Sequence, residues 1–199
     1  RDAMKQEKMH ETTSVLDLTD LSMMYHFDEE YYPAFLKGTG CSRIYLGSYF
    51  CDKYMIKTVN IMLHLAADFF RRERIRITLV VPVFSEHILQ GGKGAIEQAL
   101  CSYADLIDEI VANDYGMLRY LKQLRDEAGY SFGLIAGRLF FRNYRDARFA
   151  QEENISGPIF FPAALKGLVE AADLDLVQEW MDFSEIPEEI RIHVHYPYV

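Results

Sequence analysis

Cysteine is scarce in this sequence, which has only Cys41, Cys51 and Cys101 among its 199 residues. No two of them form a C-x-x-C pair, which argues against both a disulfide framework and a self-contained zinc site. Such sparse, unpaired cysteines are typical of proteins from a reducing compartment. We therefore expect a cytoplasmic location.

Long hydrophobic runs are also missing. The longest, over residues 77–84, is far too short to span a bilayer. The N-terminus lacks the basic-then-apolar order of a signal peptide, and residues 1–14 are polar and rich in charge. We therefore expect no membrane segment, a flexible leader over residues 1–14 and a single domain over residues 15–199.

Positive charge is in deficit, since 21 Lys and Arg stand against 30 Asp and Glu, and the net charge is −9 at pH 7. Such a surface repels phosphate backbones, which argues against a nucleic-acid partner in the absence of a local basic patch. The one candidate patch contains Arg138, Arg142, Arg145 and Arg148. A solvated loop is the alternative interpretation of that stretch.

Several motifs that would fix a reaction are absent. The sequence contains no phosphate loop, nucleophile elbow or dinucleotide-binding fingerprint, and no recognisable protease triad or metal-peptidase motif. The segment Gly91-Gly92-Lys93-Gly94 lacks the strand-to-helix context and spacing of a phosphate loop. We interpret it as a flexible loop that interrupts a helical region.

The hydrophobic pattern alternates between strand-like and helix-like segments along the chain. Short apolar runs predict strands at residues 21–27, 42–50, 76–84, 109–112, 131–140, 177–183 and 191–196. Apolar steps of three or four predict helices at residues 29–37, 52–74, 95–103, 115–127 and 163–172. For the last of these segments, a loop or a short helix is the alternative prediction.

This alternation bears directly on the fold. Strands separated by helices require crossover connections, and these produce a parallel sheet covered by helices. An open doubly wound sheet and a closed barrel share this pattern, but seven strands in one series favour the barrel. We predict a parallel (β/α) barrel of the TIM type, incomplete at about seven strands, from the N-terminal part of a longer protein.

Ligands of such folds bind at the carboxyl ends of the strands, and this rule selects candidate residues. Asn113 and Asp114 follow a buried strand, and Arg138 follows the next strand along the chain. Asp114 is either a general base or the cap of the following helix. Arg138 can clamp a carboxylate or phosphate, or form an ion pair with Asp114 or Asp146, and the two roles are compatible. These three are the candidate catalytic residues.

Four further polar residues are candidates for binding the substrate, a small molecule or a peptide. Glu86 and His195 lie near predicted strand ends, and Arg145 and Arg148 belong to the basic stretch. His193 alternates with His195 and so shares a face of the last strand with it. The pair would either share a metal with Asp114 or Glu86 or be hydrogen-bonded core histidines.

Cys51 is the candidate metal ligand. It directly precedes the long predicted helix, and Lys53 follows two residues later. A helix N-terminus and a neighbouring cation favour a thiolate, which is the form of cysteine that binds metals. A half-buried structural cysteine is the alternative.

Four segments, in this order, resemble the U32 peptidase-like family. Residues 43–47 (RIYLG) are similar to that family's strand ending in Tyr-Leu-Gly, and residues 111–116 (VANDYG) to its Asn-Asp-aromatic-Gly turn. Residues 137–139 (GRL) and 145–148 (RDAR) resemble its Gly-Arg strand end and a later Asp-Pro-Arg. The match covers most of residues 21–199 and implies a TIM-type barrel.

Within the family, Cys51 followed by Lys53 resembles the branch that assists oxygen-independent hydroxylation in ubiquinone biosynthesis. That resemblance implies a redox accessory protein with a homologous partner. It also implies a [4Fe-4S] cluster with Cys51 as one ligand and three cysteines beyond Val199, so no cluster is expected on this chain alone. Two alternatives stay open: a hydrolase of the U32 class that cleaves peptides, with Asp114 or a histidine as base, and a non-catalytic small-molecule-binding barrel.

Overall fold

A computed structural model describes residues 15–17, 38, 42–141, 160–175 and 183–195. Its strands are β1 (Val15–Asp17), β2 (Arg43–Gly47), β3 (Arg76–Val81), β4 (Ile107–Ala112), β5 (Gly133–Ala136), β6 (Ala171–Asp175) and β7 (Arg191–His195). Its α-helices are α1 (Asp52–Glu73), α2 (Leu89–Tyr103) and α3 (Tyr115–Ala128). Single 3₁₀ turns span Glu86–Ile88, Arg138–Phe140 and Ala163–Leu165.

The seven strands form one sheet in which the spatial order follows the chain order from β1 to β7. Every neighbouring pair is parallel. The described helices follow β2, β3 and β4, as crossover connections between parallel strands require. The predicted parallel α/β class is therefore confirmed.

The outer face of the sheet carries the main apolar core. Ile44 and Leu46 of β2 and Leu79 of β3 are at most 1% exposed and lie against the helices. Alternate residues point inward instead, because successive side chains of a strand point to opposite faces. Val80, Val111 and four other residues form a second apolar cluster there.

The longest helix, α1, was predicted almost to its boundaries. Its buried residues include Met55, Val59, Leu63, Ala66 and Phe70, which recur at steps of three or four and form one stripe. The helix ends at Arg74, which adopts a left-handed conformation with φ 58°. Its backbone N–H bonds back to the carbonyl of Arg71, 3.2 Å away, and closes the last turn.

The glycine-rich segment is helical, and its interpretation as a flexible loop was wrong. Gly91, Gly92 and Gly94 all lie within α2. Gly92 is buried against the ring of Phe84, where an added Cβ would lie 2.5 Å from the ring. Close packing against an aromatic side chain therefore overrides the low helix propensity of glycine.

The predicted helix at residues 163–172 was wrong in most of its length. A 3₁₀ turn spans only Ala163–Leu165, and Ala171 and Ala172 belong to β6. The two alanines favour a helix by propensity, but Asp173 and Leu174 begin a strand-like polar–apolar alternation. Pairing with β5 and β7 on either side stabilises these residues as a strand.

Other strand boundaries differ from the prediction. The strands predicted at residues 42–50, 76–84 and 131–140 are shorter in the structure, because their last residues form the loops at the carboxyl edge. Strand β1 was not predicted. The predicted strand at 21–27, the helix at 29–37 and most of the strand at 177–183 lie outside the described residues.

The sheet is strongly curled. The hydroxyl of Tyr45 on β2 lies 3.1 Å from Oδ1 of Asp173 on β6, four strands away. Neighbouring strands are about 4.8 Å apart, so in a flat sheet the two strands would be separated by about 19 Å. Their inner faces therefore face each other across a concave surface. None of the described helices is both long and apolar enough to cross a membrane.

Candidate functional site

The carboxyl edge of the sheet gathers most of the predicted site residues. Cys51 follows β2, Glu86 lies in the loop after β3, Asn113 and Asp114 follow β4, and Arg138 follows β5. Since all strands are parallel, these positions lie at one edge. The sequence argument about where ligands bind therefore selected residues that share an edge.

Asn113 holds the loops of this edge together. Its side chain is buried, and Nδ2 donates to the carbonyl of Val81 at 2.8 Å, at the end of the neighbouring strand. Its Oδ1 accepts from the backbone N–H of Leu139 at 3.4 Å. Gly137 packs so closely on this amide that an added Cβ would lie 2.2 Å from Oδ1. Asn113 thus positions the segment that carries Arg138.

Asp114 caps helix α3. Its Oδ1 accepts from the backbone N–H of Met117 at 2.8 Å, which satisfies one of the free donors of the first turn. The capping alternative for this residue is therefore present in the structure. A carboxylate engaged in this way is a weaker candidate for the general base than a residue whose basic atom is free.

A buried polar cluster lies on the concave side of the sheet and consists of Tyr45, Tyr49, Asp173 and His193. The hydroxyl of Tyr45 donates to Oδ1 of Asp173 at 3.1 Å, and that of Tyr49 donates to Oδ2 at 3.1 Å. Nδ1 of His193 lies 2.8 Å from the Tyr45 hydroxyl and 3.2 Å from Oδ1 of Asp173. We call these four residues the inner cluster.

Burial controls the electrostatics of the inner cluster. Asp173 is completely buried and Tyr45 is 2% exposed, whereas the side chain of His193 is 23% exposed. Burial raises the pKa of Tyr45 well above its usual value, and the charges of Asp173 and Glu109 raise it further. Tyr45 is therefore a neutral hydrogen-bond donor throughout the physiological range.

The strand register places Asp173 and His193 near the carboxyl edge, whereas Tyr45 lies lower, level with Thr78 of β3, and reaches them through its hydroxyl. The last pair between β5 and β6 joins Ala136 to Ala172, so Asp173 is level with Gly137, just beyond the end of β5. On its other side, Asp173 pairs with His193 of β7. The buried carboxylate thus forms the floor of the edge at which Arg138 lies.

Arg138 connects this floor to the loops above it. Its guanidinium carbon lies 4.9 Å from the centroid of the Tyr49 ring, in a cation–π arrangement. The side chain is half-buried. Because the Tyr49 hydroxyl donates to Asp173, one aromatic ring separates a cation at the edge from a carboxylate below it.

Exposed apolar side chains lie in the loops of the same edge. Phe50, Val83, Tyr115 and Leu139 each follow a different strand, from β2 to β5, and are 39% to 72% exposed. We call these four residues the apolar rim. Large apolar side chains exposed together around a few polar groups are typical of a ligand site.

Cys51 is exposed at the start of α1. Its backbone N–H donates to the Ser48 hydroxyl at 3.0 Å, so that hydroxyl stabilises the turn that precedes the helix. Asp52 accepts from the hydroxyl of Ser85 at 2.8 Å and from its backbone N–H at 3.3 Å, and these bonds lower the pKa of Asp52. They tie the start of α1 to the loop after β3.

The metal alternative for the histidines gains no support from their surroundings. Within the described residues, no group of three or more His, Cys, Asp or Glu could hold a metal ion. His193 contacts Tyr45 and Asp173 rather than the predicted Asp114 or Glu86. Arg145, Arg148 and the side chain of His195 lie outside the described part of the chain, so their predicted roles stay predictions.

A second polar network lies at the opposite, amino edge. Glu109 is 3% exposed, and its two oxygens lie 2.9 Å from Arg43 and 2.9 Å from Arg191. The Thr78 hydroxyl donates to the same carboxylate at 2.9 Å. An open cleft of about 540 Å³ lies beside this network. Its charged groups satisfy one another, which is the pattern of a structural ion network.

Sequence reasoning missed Tyr45, Tyr49 and Asp173 as site residues. Tyr45 was noticed only as part of a strand motif, and Asp173 lay just beyond a segment interpreted as helix. The polar–apolar alternation that starts at Asp173 was the available signal for a strand. That signal would have placed this carboxylate on a sheet face, next to the strand that carries His193.

Comparison of the chain with protein-family models, with curated proteins and with solved structures gave no match.

Proposed function

We propose that this chain is a U32-like protein of the TIM-barrel type that binds a small aromatic carboxylate at the carboxyl edge of its sheet. The observation that carries the proposal is that the apolar rim of Phe50, Val83, Tyr115 and Leu139 shares the carboxyl edge with Arg138, whose guanidinium lies over the Tyr49 ring of the inner cluster. An apolar wall with a few convergent polar groups is the usual composition of a small-molecule site.

Each part of the edge suits one part of such a ligand. The guanidinium of Arg138 can bind a carboxylate through two parallel hydrogen bonds. The exposed apolar side chains suit a ring, and aromatic pairs such as Tyr115 and Phe140, whose centroids are 4.9 Å apart, are already present there. The hydroxyls and imidazole of the inner cluster can then distinguish polar substituents on that ring.

Ligand binding by calorimetry tests the proposal, with 4-hydroxybenzoate as the probe and 4-hydroxybenzyl alcohol as its uncharged analogue. We expect 4-hydroxybenzoate to bind and the alcohol to bind more weakly. Arg138→Ala should raise the Kd by about tenfold or more, since a charge-assisted hydrogen bond contributes about 1.5–3 kcal/mol. Arg119→Ala, on the exposed face of α3, is the matched control and should leave the Kd unchanged.

Two outcomes would remove this proposal. One is that neither 4-hydroxybenzoate nor citrate binds the folded wild-type protein. Citrate serves here as an aliphatic carboxylate. The other is equal weakening by Arg138→Ala and Arg119→Ala, because a general charge effect and not the edge would then explain binding.

The redox accessory role implied by the U32 resemblance is a second candidate, and the exposed thiol of Cys51 at the same edge favours it. The described residues do not form a cluster site, since four thiolates are needed. Cys101 lies in the last turn of α2, which runs back toward the amino edge, and so cannot join Cys51. The remaining ligands would have to come from outside the described residues.

Anaerobic reconstitution of the full-length protein with iron and sulfide tests this role. A cluster with Cys51 as a ligand should give a visible charge-transfer absorption that Cys51→Ser diminishes and Cys101→Ser leaves intact. Equal absorption from the wild type and Cys51→Ser would rule out Cys51 as a ligand.

A further inference from the structure

The hydrogen atoms of the inner cluster can be assigned from its geometry. Tyr45 has one hydroxyl hydrogen, and its donation to Oδ1 of Asp173 leaves the phenol oxygen as an acceptor toward His193. Nδ1 of His193 lies 2.8 Å from that oxygen and 3.2 Å from the carboxylate, and both of these are acceptors. With Asp173 ionised, Nδ1 carries a hydrogen, because a lone pair on Nδ1 would otherwise face the negative carboxylate oxygen at 3.2 Å.

This assignment fixes the form of the imidazole. A neutral imidazole carries one hydrogen, so with Nδ1 protonated the lone pair lies on Nε2. Nε2 has no hydrogen-bond partner among the residues that the structure describes. The ring is 23% exposed although its Nδ1 contacts two buried side chains. Among the described residues, Nε2 is thus the ring nitrogen that is left for a bound molecule.

The neighbours of His193 suit a group that gains and loses a proton. Asp173 is completely buried beside Nδ1, and a carboxylate in that position stabilises an imidazolium when it forms. Tyr49 donates to the far oxygen of Asp173 at 3.1 Å and so fixes the orientation of the carboxylate. A positioned histidine supported by a buried carboxylate is a common arrangement of a general base.

We infer that His193 is the acid–base residue of the carboxyl edge and that its Nε2 accepts the proton of a hydroxyl group on the bound aromatic carboxylate. This inference rests on the proposed function of the same edge. In the step, the ligand O–H bond breaks, the electron pair stays on oxygen and an N–H bond forms at Nε2. Asp173 balances the positive imidazolium, and the reverse transfer returns the proton to the ligand oxygen.

Long-range ¹H–¹⁵N correlation spectra of the histidine rings test the inference. In the neutral form, we expect His193 to carry its hydrogen on Nδ1, in contrast to the exposed His64 and His87, which serve as internal references. In Asp173→Asn, the new amide donates to Nδ1, so the hydrogen should move to Nε2. Arg119→Ala, on the exposed face of α3 and outside the inner cluster, should leave the wild-type pattern unchanged.

Addition of 4-hydroxybenzoate separates this inference from the proposal on which it rests. The Nε2 signal of His193 should shift in the wild type and in Arg119→Ala on saturation. An Nε2–H tautomer in the free wild type, or ligand binding without any change at Nε2, overturns the acid–base role. Absence of binding with the Nδ1–H tautomer intact overturns the binding proposal and removes the ligand that the step requires.

Discussion

The phenol of Tyr45 and the carboxylate of Asp173 are joined by a 3.1 Å hydrogen bond, although the two residues are 128 positions apart in the chain and three strands lie between them. Both are almost completely buried. A polar bond between distant strands on the concave face of a sheet specifies how far the sheet curls. It also places a carboxylate where water cannot screen it.

Replacement of Tyr45 by Phe should change how stability depends on pH. The pKa of Tyr45 is raised on folding, so the folded protein retains the proton more tightly than the unfolded chain. The resulting stabilisation is complete below the unfolded pKa of about 10 and is lost as pH rises toward the folded pKa. Wild-type stability should therefore fall more steeply than that of Tyr45→Phe between about pH 9 and about pH 11.

Urea denaturation at several pH values measures this difference. At neutral pH, Tyr45→Phe should be less stable by about 1 kcal/mol, because Asp173 loses a donor. The gap should narrow in alkali. Tyr115→Phe, at an exposed position, is the matched control. Parallel pH profiles for wild type and Tyr45→Phe would contradict the prediction.

Two substitutions of Asp114 should separate its capping role from a chemical one. Asp114→Ala removes the acceptor for Met117 N–H and should cost about 0.5–2 kcal/mol of unfolding free energy. Asp114→Asn keeps a capping oxygen and should be nearly neutral, since asparagine caps about as well. Thermal or chemical denaturation measures both, and an equal loss from the two variants would show that the charge, not the cap, matters.

The glycines of α2 offer a matched pair. An added Cβ at Gly94 has no atom within 4 Å, so Gly94→Ala should stabilise the protein by about 0.5–1 kcal/mol through helix propensity. An added Cβ at Gly92 would meet the ring of Phe84 at 2.5 Å. Gly92→Ala should be less stable than Gly94→Ala by about 1–3 kcal/mol because of overpacking. Equal denaturation midpoints would mean that this segment is not packed as described.

Loss of the Glu109 carboxylate should destabilise the amino edge. Glu109→Ala removes the carboxylate that pairs with Arg43, whose side chain is only 21% exposed. Breaking a fully buried pair costs about 3–5 kcal/mol; because the Arg191 side chain is 57% exposed, we expect about 2–3 kcal/mol here. Asp126→Ala, which removes an exposed pair with Lys122, should cost at most about 1 kcal/mol. Equal unfolding free energies for the two variants would contradict this.

Sequence reasoning succeeded where residues close together in the chain determine the structure, and it failed where contacts between distant residues determine it. Helix α1 was predicted nearly to its boundaries because a continuous apolar stripe determines it. Gly92 misled the prediction because its helical state depends on Phe84, a contact that periodicity does not show. Ala171 and Ala172 misled it because strand pairing with β5 and β7 outweighs their helix propensity.

The same contrast between local and distant contacts applies to the candidate site. The edge could be predicted, because parallel strands bring their carboxyl ends together wherever the exact boundaries lie. The chemistry could not, because the partners of Asp173 come from strands at both ends of the described sheet. Asp114, which the sequence favoured, lies next to its capping partner in the chain, whereas Tyr45 and His193 meet only through the curl.

The distance along the chain between Tyr45 and Asp173 has a consequence for the order in which the molecule assembles. Strands β2 to β5 have a core of contacts between near neighbours, but the inner cluster exists only after β6 and β7 have docked. Local opening of these two strands would abolish the acid–base pair while the rest of the sheet stays folded. Amide hydrogen exchange in β6 and β7 should then report directly on the fraction of molecules in which the inner cluster is formed.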